Sequence, residues 1–243
     1  MSQESEILEF INVSFGYSED KLILKKVNFR LLEGKTYALV GPTGGGKSTT
    51  AGLMARLYDP TFGEVEFGNT DIRTYTPQEL SKNIGFILQD PFLFSGNVGD
   101  NIRYGNEELE KTDNTNLLDI IEQEGFGKLI SIFEKGLETE VSNASESISL
   151  GQKQIISFMR ILLRKPKLLI LDEATANIDT VTEQILNEII AKLPVATTKV
   201  IIAHRLNTIK DADEILFINN GKIKTAVDFD DAISLIDNSK RVS

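Results

Sequence analysis

An α/β fold is predicted, with a mainly parallel sheet at its core, an N-terminal antiparallel β subdomain and an inserted α-helical subdomain. Three observations predict the parallel core and the inserted subdomain. Short apolar runs alternate with helical patterns through most of the 243 residues. Two of these runs, Lys167–Leu171 and Lys199–Ala203, are apolar without alternation, as strands covered on both faces are. Between about residues 91 and 164 the texture changes to helical, polar and loop-rich, with no convincing strand.

Taken in order, Leu8–Val13 and Leu22–Leu31 read as two early strands separated by the turn-like Gly16–Asp20. Thr36–Val40 is a strand of buried type, followed at once by a glycine-rich turn and a helix over Lys47–Tyr58. Gly63–Phe67 and Asn83–Leu88 are further strands. After the helical stretch and the two apolar runs, Thr182–Leu193 has helical spacing, with Ile185, Leu186, Ile189, Ile190 and Leu193 on one side. Asn220-Gly221 between Ile215–Ile218 and Lys222–Ile223 marks a tight hairpin, since that dipeptide accepts positive φ. The tail Ser239–Ser243 is expected to fray. The organisation expected is one domain over 1–243, with residues 1–90 and 165–243 as its core and 91–164 as the inserted subdomain.

Composition removes several function classes. Lys plus Arg is 26 and Asp plus Glu is 36, so the formal charge is 26 − 36 = −10. A surface that acidic repels phosphate backbones and anionic lipid, and no nucleic-acid partner is expected. Zero cysteines exclude disulfides, thiolate metal sites and a cysteine nucleophile, and a single histidine, His204, excludes multi-histidine zinc sites. The N-terminal MSQESEILEF is acidic where a secretory signal would be basic. No uncharged apolar run approaches the roughly 20 residues of a spanning helix. Any membrane role is therefore expected to come through a partner.

Gly41-Pro42-Thr43-Gly44-Gly45-Gly46-Lys47-Ser48 fits G-x-x-x-x-G-K-[ST] and lies between a strand and a helix, the context that gives the motif meaning. Glycines let the chain curl so that several N–H groups face one phosphate, and the helix opening at Lys47 adds its positive end. Lys47 is expected to reach the β- and γ-phosphates and Ser48 to ligate Mg²⁺. The core is thus predicted to be that of a P-loop NTPase. A nucleotide site also needs a carboxylate from a second strand, and Leu168–Leu171 leads into Asp172 and Glu173. Asp172 can hold Mg²⁺ beside Ser48, and Glu173 can polarise an attacking water as general base. Alone, the pair would read as turn carboxylates after a buried strand; with the phosphate loop it reads as the second half of the site.

These motifs, in this order, resemble the nucleotide-binding domain of an ATP-binding cassette (ABC) transporter of exporter type, over about Leu8 to Ile223. The resemblance implies ATP and Mg²⁺ as ligands, and ATP hydrolysis that drives export. It implies Tyr17 as the ring that stacks on adenine, and Gly41, Thr43, Gly44, Gly45, Gly46, Lys47, Ser48 and Thr49 as the nucleotide-binding loop. Gln89 matches the glutamine that contacts Mg²⁺ and the water and senses the membrane partner, with Pro91–Gly96 and Asn101–Gly105 continuing that loop. Asp179, in Ala176-Asn177-Ile178-Asp179, matches the D-loop aspartate and is counted with the cofactor-binding residues. His204 matches the histidine that touches the γ-phosphate. Ile148-Ser149-Leu150-Gly151-Gln152 stands where the family reads LSGGQ. There Ser149, Gly151 and Gln152 would face ATP held by a second domain, while Ser149 and Gln152 equally form a capping box. The implied partners are a second nucleotide-binding domain and transmembrane domains, at the cytoplasmic face of the membrane.

The sequence departs from the family on one side. Leu150 replaces a glycine, Ala176-Asn177 replaces Ser-Ala, and Ser142–Ser145 loses the Gly, Glu, Arg and Gly of the exporter pattern. The groups toward the chain's own ATP are complete, whereas those lent to a partner's ATP are altered. That asymmetry favours a heterodimer over a homodimer. The alternative function is a non-transport ABC ATPase acting on ribosomes or DNA. A small-molecule kinase and an inert binding module are further rivals, separable by hydrolysis without acceptor and by Glu173-dependent turnover.

Overall fold

The computed structural model describes residues 5–18, 20–88, 91–142, 148–172, 180–202 and 210–240. In chain order the first elements are β1 (Glu6–Phe15), β2 (Leu24–Leu32), β3 (Thr36–Val40), α1 (Lys47–Met54), β4 (Phe62–Phe67), β5 (Thr70–Asp71), α2 (Pro77–Asn83) and β6 (Ile84–Ile87). Then come β7 (Gly96–Asn97), α3 (Val98–Arg103), α4 (Asn114–Gln123), α5 (Gly127–Ile130), β8 (Glu140–Val141) and α6 (Leu150–Leu162). The last are β9 (Leu168–Asp172), α7 (Thr180–Ala191), β10 (Thr198–Ile202), β11 (Glu214–Asn219), β12 (Lys222–Ala226) and α8 (Phe229–Lys240). The chain divides into two compact units, Met1–Phe86 with Lys167–Glu173 and Val195–Ser243, and Ile87–Pro166 with Ala174–Pro194.

The first unit holds two sheets. One has the order β2-β1-β4-β5 with antiparallel pairings, and the other the order β12-β11-β3-β10-β9-β6. In the second, β11, β3, β10 and β9 are mutually parallel and β12 returns antiparallel to β11. The predicted α/β class, with a mainly parallel sheet and an antiparallel N-terminal sheet, is what is found. Strand alternation divides β3 between two cores. Tyr37 and Leu39 join Phe10, Leu24, Met54 and Leu168 in one; Ala38 and Val40 join Ile215, Phe217 and Ala232 of α8 in the other. The phenol of Tyr37 is wholly buried and accepts a bond from the Leu32 N–H at 2.7 Å, so no polar group is stranded there.

Three local outcomes differ from the sequence expectation. Helix α1 stops at Met54 rather than Tyr58, because Arg56 takes φ +51° and closes a Schellman-type end, with Arg56 N–H donating to Leu53 and Leu57 N–H to Gly52. A glycine normally holds that position. Here the Arg56 guanidinium donates to the carbonyls of Ile72 (3.0 Å) and Tyr75 (2.6 Å), and those bonds hold the strained backbone. Of the tail expected to fray, Ser239 and Lys240 instead close α8, whose Phe229, Ala232, Leu235 and Ile236 pack on the face of β3 and β11, while residues 241–243 lie outside the described ones. Third, the middle stretch contains a small ladder, Gly96 opposite Val141 and Asn97 opposite Glu140.

The second unit is otherwise helical. Asn97 and Asp100 make a capping box for α3, Asp113 caps α4, and α3 packs on α6. Helix α6 buries Ile155, Ile156, Phe158 and Met159. No helix among the described residues is long and apolar enough to cross a membrane.

Candidate functional site

The glycine-rich block is a loop between β3, near the middle of the parallel sheet, and α1. Gly41 starts it under tight constraint. Its φ is +147°, and a Cβ there would lie 2.0 Å from the backbone oxygen of Ile218 on β11. Only glycine lets the chain leave β3 so close to its neighbour. Gly44 differs: φ is +76°, yet a Cβ would meet nothing within 4 Å. The loop is therefore packed on the β11 side and open at Gly44. Gly45 N–H bonds back to Pro42 O at 3.0 Å, and both Gly45 and Gly46 are buried while Thr43 is exposed.

Helix α1 begins at Lys47 with Gly46 at its N-cap, no side-chain cap and no acidic residue in its first turn. The first N–H groups of a helix have no partner within it, and they carry the positive end of its dipole. An uncapped N-terminus at the mouth of an open loop is a fit for phosphate oxygens. Lys47 is 7% exposed, and its ammonium donates to the carbonyls of Gly41 at 3.0 Å and Pro42 at 3.1 Å, which holds the charge at the loop itself. Ser48 presents an exposed hydroxyl. Thr49 is buried, and its hydroxyl lies 3.1 Å from the phenol oxygen of Tyr17. The Tyr17 ring is 59% exposed but braced edge-on by Phe15 at 5.1 Å and Tyr58 at 5.2 Å. Its accessible faces suit stacking on a flat ring.

Asp172 belongs to the same sheet edge. Ile202 of β10 stands opposite Leu39 of β3 on one side and opposite Asp172 of β9 on the other. Asp172 is thus level with Leu39, two strand spacings or about 10 Å across the sheet. The hydroxyl of Ser48 and the half-buried carboxylate of Asp172 are hard oxygen donors of the kind Mg²⁺ takes. Among the described residues no group of three or more His, Asp or Glu could hold a metal by itself. A cation here would be completed by phosphate oxygens and water, which is usual for Mg²⁺. Gln89, Glu173, Asp179 and His204 lie outside the described residues. In sequence Gln89 follows the exposed Leu88, Glu173 follows Asp172, and His204 stands two residues beyond Ile202.

In the second unit Ser149 and Gln152 form the expected capping box of α6. Gln152 N–H donates to Ser149 Oγ at 3.2 Å, and Ser149 N–H donates to Gln152 Oε1 at 2.9 Å. The Gln152 amide also donates to Ile132 O at 3.2 Å. Gly151 lies in the first turn and is half-buried, as is Leu150.

Sequence reading missed Arg160. Its guanidinium donates to Asn101 O (2.8 Å), Phe92 O (3.0 Å) and Asn101 Oδ1 (3.1 Å), and lies over the rings of Phe94 and Tyr104. Burial, with the charge of Arg164 beside it, pushes its pKa down to about 10. Asn101 in turn bonds both backbone groups of Phe94, at 2.8 and 2.9 Å. Together they pin the segment that follows Gln89. The signal available was an arginine one residue after the apolar face Ile155, Ile156 and Met159.

A parallel sheet, a phosphate-fitted loop at the strand–helix junction and a carboxylate at a neighbouring strand end define a P-loop nucleotide-binding domain. Residues 24–176 match the family described as ABC transporter, and the chain belongs to that family. It is an ATP-binding domain of a family that hydrolyses ATP. It is 46% identical over 222 residues, 89% of this chain and 35% of the relative, to the uncharacterized ABC transporter ATP-binding protein YfiC of Bacillus subtilis (strain 168). It is 40% identical over 216 residues, 89% of this chain and 32% of the relative, to the probable multidrug resistance ABC transporter ATP-binding/permease protein YheH of the same organism. A solved bacterial Atm1-family ABC exporter with ATP bound superposes with TM-score 0.80 at 32% identity, over all of this chain and 41% of that one. The chain spans about a third of the length of these curated relatives. They bear the names of transporters, and the ribosome- or DNA-associated alternative is set aside.

Proposed function

We propose that the chain is the ATP-hydrolysing half-engine of a membrane exporter. It pairs head to tail with a second nucleotide-binding domain and moves transmembrane domains at the cytoplasmic face. The observation that carries this reading is the phosphate loop open at Gly44, running into an uncapped helix, with Asp172 level on the same sheet edge. The two compact units act as one domain, the first binding ATP through its loop and the second presenting Ser149, Gly151 and Gln152 to the partner's ATP.

In this reading Tyr17 stacks on adenine and the loop amides with Thr43, Lys47 and Thr49 hold the phosphates. Ser48, Asp172 and Gln89 hold Mg²⁺, which when bound neutralises charge on the β- and γ-phosphates. Lys47 and His204 stabilise the charge that develops on the transferring γ-phosphoryl, and Glu173 orients or deprotonates the attacking water. Asp179 takes the part of the family's D-loop aspartate among the nucleotide-binding residues. Gln89 and the segment pinned by Asn101 and Arg160 pass the motion to the membrane domains.

Leu150 supports a heterodimer, because a branched side chain at a position where the family has glycine keeps backbone from close approach to phosphate. Light scattering of the Glu173→Gln chain with ATP tests this directly. Removal of the base traps ATP, so a competent pair accumulates as dimer. The proposal expects monomer with bound ATP, and dimer only when Leu150→Gly is added. Dimer from Glu173→Gln alone would establish a homodimer, and absence of ATP binding would refute the site itself.

A further inference from the structure

The first unit carries a second feature away from the phosphate loop. β2 and β12 are the outermost strands of the two sheets. They approach one another where Lys25 N–H donates to Gly221 O at 2.8 Å. Between them runs a groove of about 640 Å³, with Leu22, Val27 and Ile223 as its apolar lining and Lys25, Lys26 and Lys222 around it. Val27 is 2% exposed and the three lysines are exposed, so the groove has an apolar floor and a cationic rim.

The two consecutive lysines reach the same groove because β2 is bulged. Its pairing with β1 jumps from Val13–Val27 to Phe15–Leu24, which leaves Lys25 and Lys26 opposite Ser14 alone. In a regular strand neighbours point to opposite faces; the extra residue re-aims them. Lys26 takes φ +49°, a conformation that strains any side chain but glycine's. Ser14 Oγ accepts from Lys26 N–H at 2.9 Å and the Asn28 amide donates to Lys26 O at 3.0 Å, fixing the bulge.

Among the described residues no acidic side chain lines the groove, and none of the three lysines forms an ion pair. In a chain of net charge −10 this is a concentration of positive charge that no described residue matches. Lysines on an edge strand normally serve to prevent edge-to-edge pairing. That role does not require lysines of two different sheets to converge over apolar residues, where they repel one another. We propose that the groove between β2 and β12 receives an extended acidic peptide segment of a partner protein. Its carboxylates meet Lys25, Lys26 and Lys222, and its alternate apolar side chains sit on Leu22, Val27 and Ile223. An extended chain alternates its side chains in this way. A short segment feels the local lysines within the screening length, whereas a membrane or nucleic acid would meet the acidic chain as a whole.

The test is fluorescence anisotropy of a labelled peptide of about eight residues, alternating Glu and Val, titrated with the full chain. Saturable binding is expected, weakening several-fold from about 50 to about 200 mM salt as screening shortens. Lys25→Glu/Lys26→Glu and, separately, Lys222→Glu weaken it by about tenfold or more, since each turns an attraction into a repulsion. Lys111→Glu/Lys192→Glu, the same charge change on exposed positions elsewhere, leaves it intact, and ATP binding persists in every variant. A Glu→Gln peptide does not bind. No binding by the parent peptide would reduce the lysines to edge protection. Equal binding by the groove variants, or binding to phosphatidylserine vesicles but not to the peptide, would also overturn the proposal.

Discussion

Replacing Gly41 by alanine tests the packed side of the phosphate loop, and Gly44→Ala tests its open side. At Gly41 the added Cβ would lie 2.0 Å from Ile218 O, and the neighbour is backbone, which cannot rotate away. Relief requires β11 to withdraw from β3 near the Phe217–Val40 pair. The loss of about two ladder hydrogen bonds costs about 1 kcal/mol each, and an alanine at φ +147° adds about 1–3 kcal/mol. The total is about 3–5 kcal/mol, which for a chain of this length lowers Tm by about 10 °C. At Gly44 nothing lies within 4 Å, so only the left-handed backbone at φ +76° costs, about 1–2 kcal/mol or about 4 °C. The new methyl group would nevertheless project into open space, where the proposed function puts the phosphate oxygens. Differential scanning calorimetry without nucleotide, paired with titration of a fluorescent ATP analogue, separates the two. Gly41→Ala should lose stability, and Gly44→Ala should lose ATP affinity while keeping most of its stability. A Gly41→Ala chain melting within about 3 °C of the parent would refute the reasoning, as would a Gly44→Ala chain that melts lower than Gly41→Ala.

Other consequences are as open to measurement. Ser149→Ala removes the α6 cap and should cost about 1 kcal/mol in urea unfolding, with Ser149→Asn recovering most of it. Arg160→Met strips three hydrogen bonds from Asn101 and Phe92 and should cost about 2–4 kcal/mol, seen as faster amide exchange over Phe92–Tyr104. The Arg73 side-chain bonds, at 2.6 and 3.0 Å, hold the carboxyl of Asp71 below its usual range. A depressed carboxylate contributes stability above its unfolded pKa and loses it as pH falls through the folded one, so the contribution should fade only in acid. Arg73→Leu should return the Asp71 carboxyl carbon shift, followed by NMR, to ordinary titration, and no change in that midpoint would exclude the bond as its cause.

Much of the candidate site was legible because its determinants are local. The block Gly41–Ser48 needs only a strand before it and a helix after it, and both announce themselves in the apolar pattern. Asp172 was legible as the polar end of an apolar run, and the Ser149–Gln152 box as a three-residue spacing. The parallel sheet was legible in the apolar runs where alternation fails.

Tertiary structure decided the rest. No local rule ends α1 at Met54, because arginine is an ordinary helix former; the carbonyls of Ile72 and Tyr75, distant in sequence, draw Arg56 out of the helix. That Gly41 is required by contact with Ile218, whereas Gly44 faces open space, depends on which strand lies beside β3. The level pairing of Asp172 with Leu39 depends on β10 lying between their strands. The Arg160–Asn101 clamp and the convergence of Lys25, Lys26 and Lys222 join residues far apart in the chain. Sequence by itself determined which chemistry each segment carries, since glycine freedom, hydrogen-bond donors and charge are properties of single residues and short spacings. Only the fold decided which segments meet, since contact, burial and strain are properties of pairs that the chain must bring together.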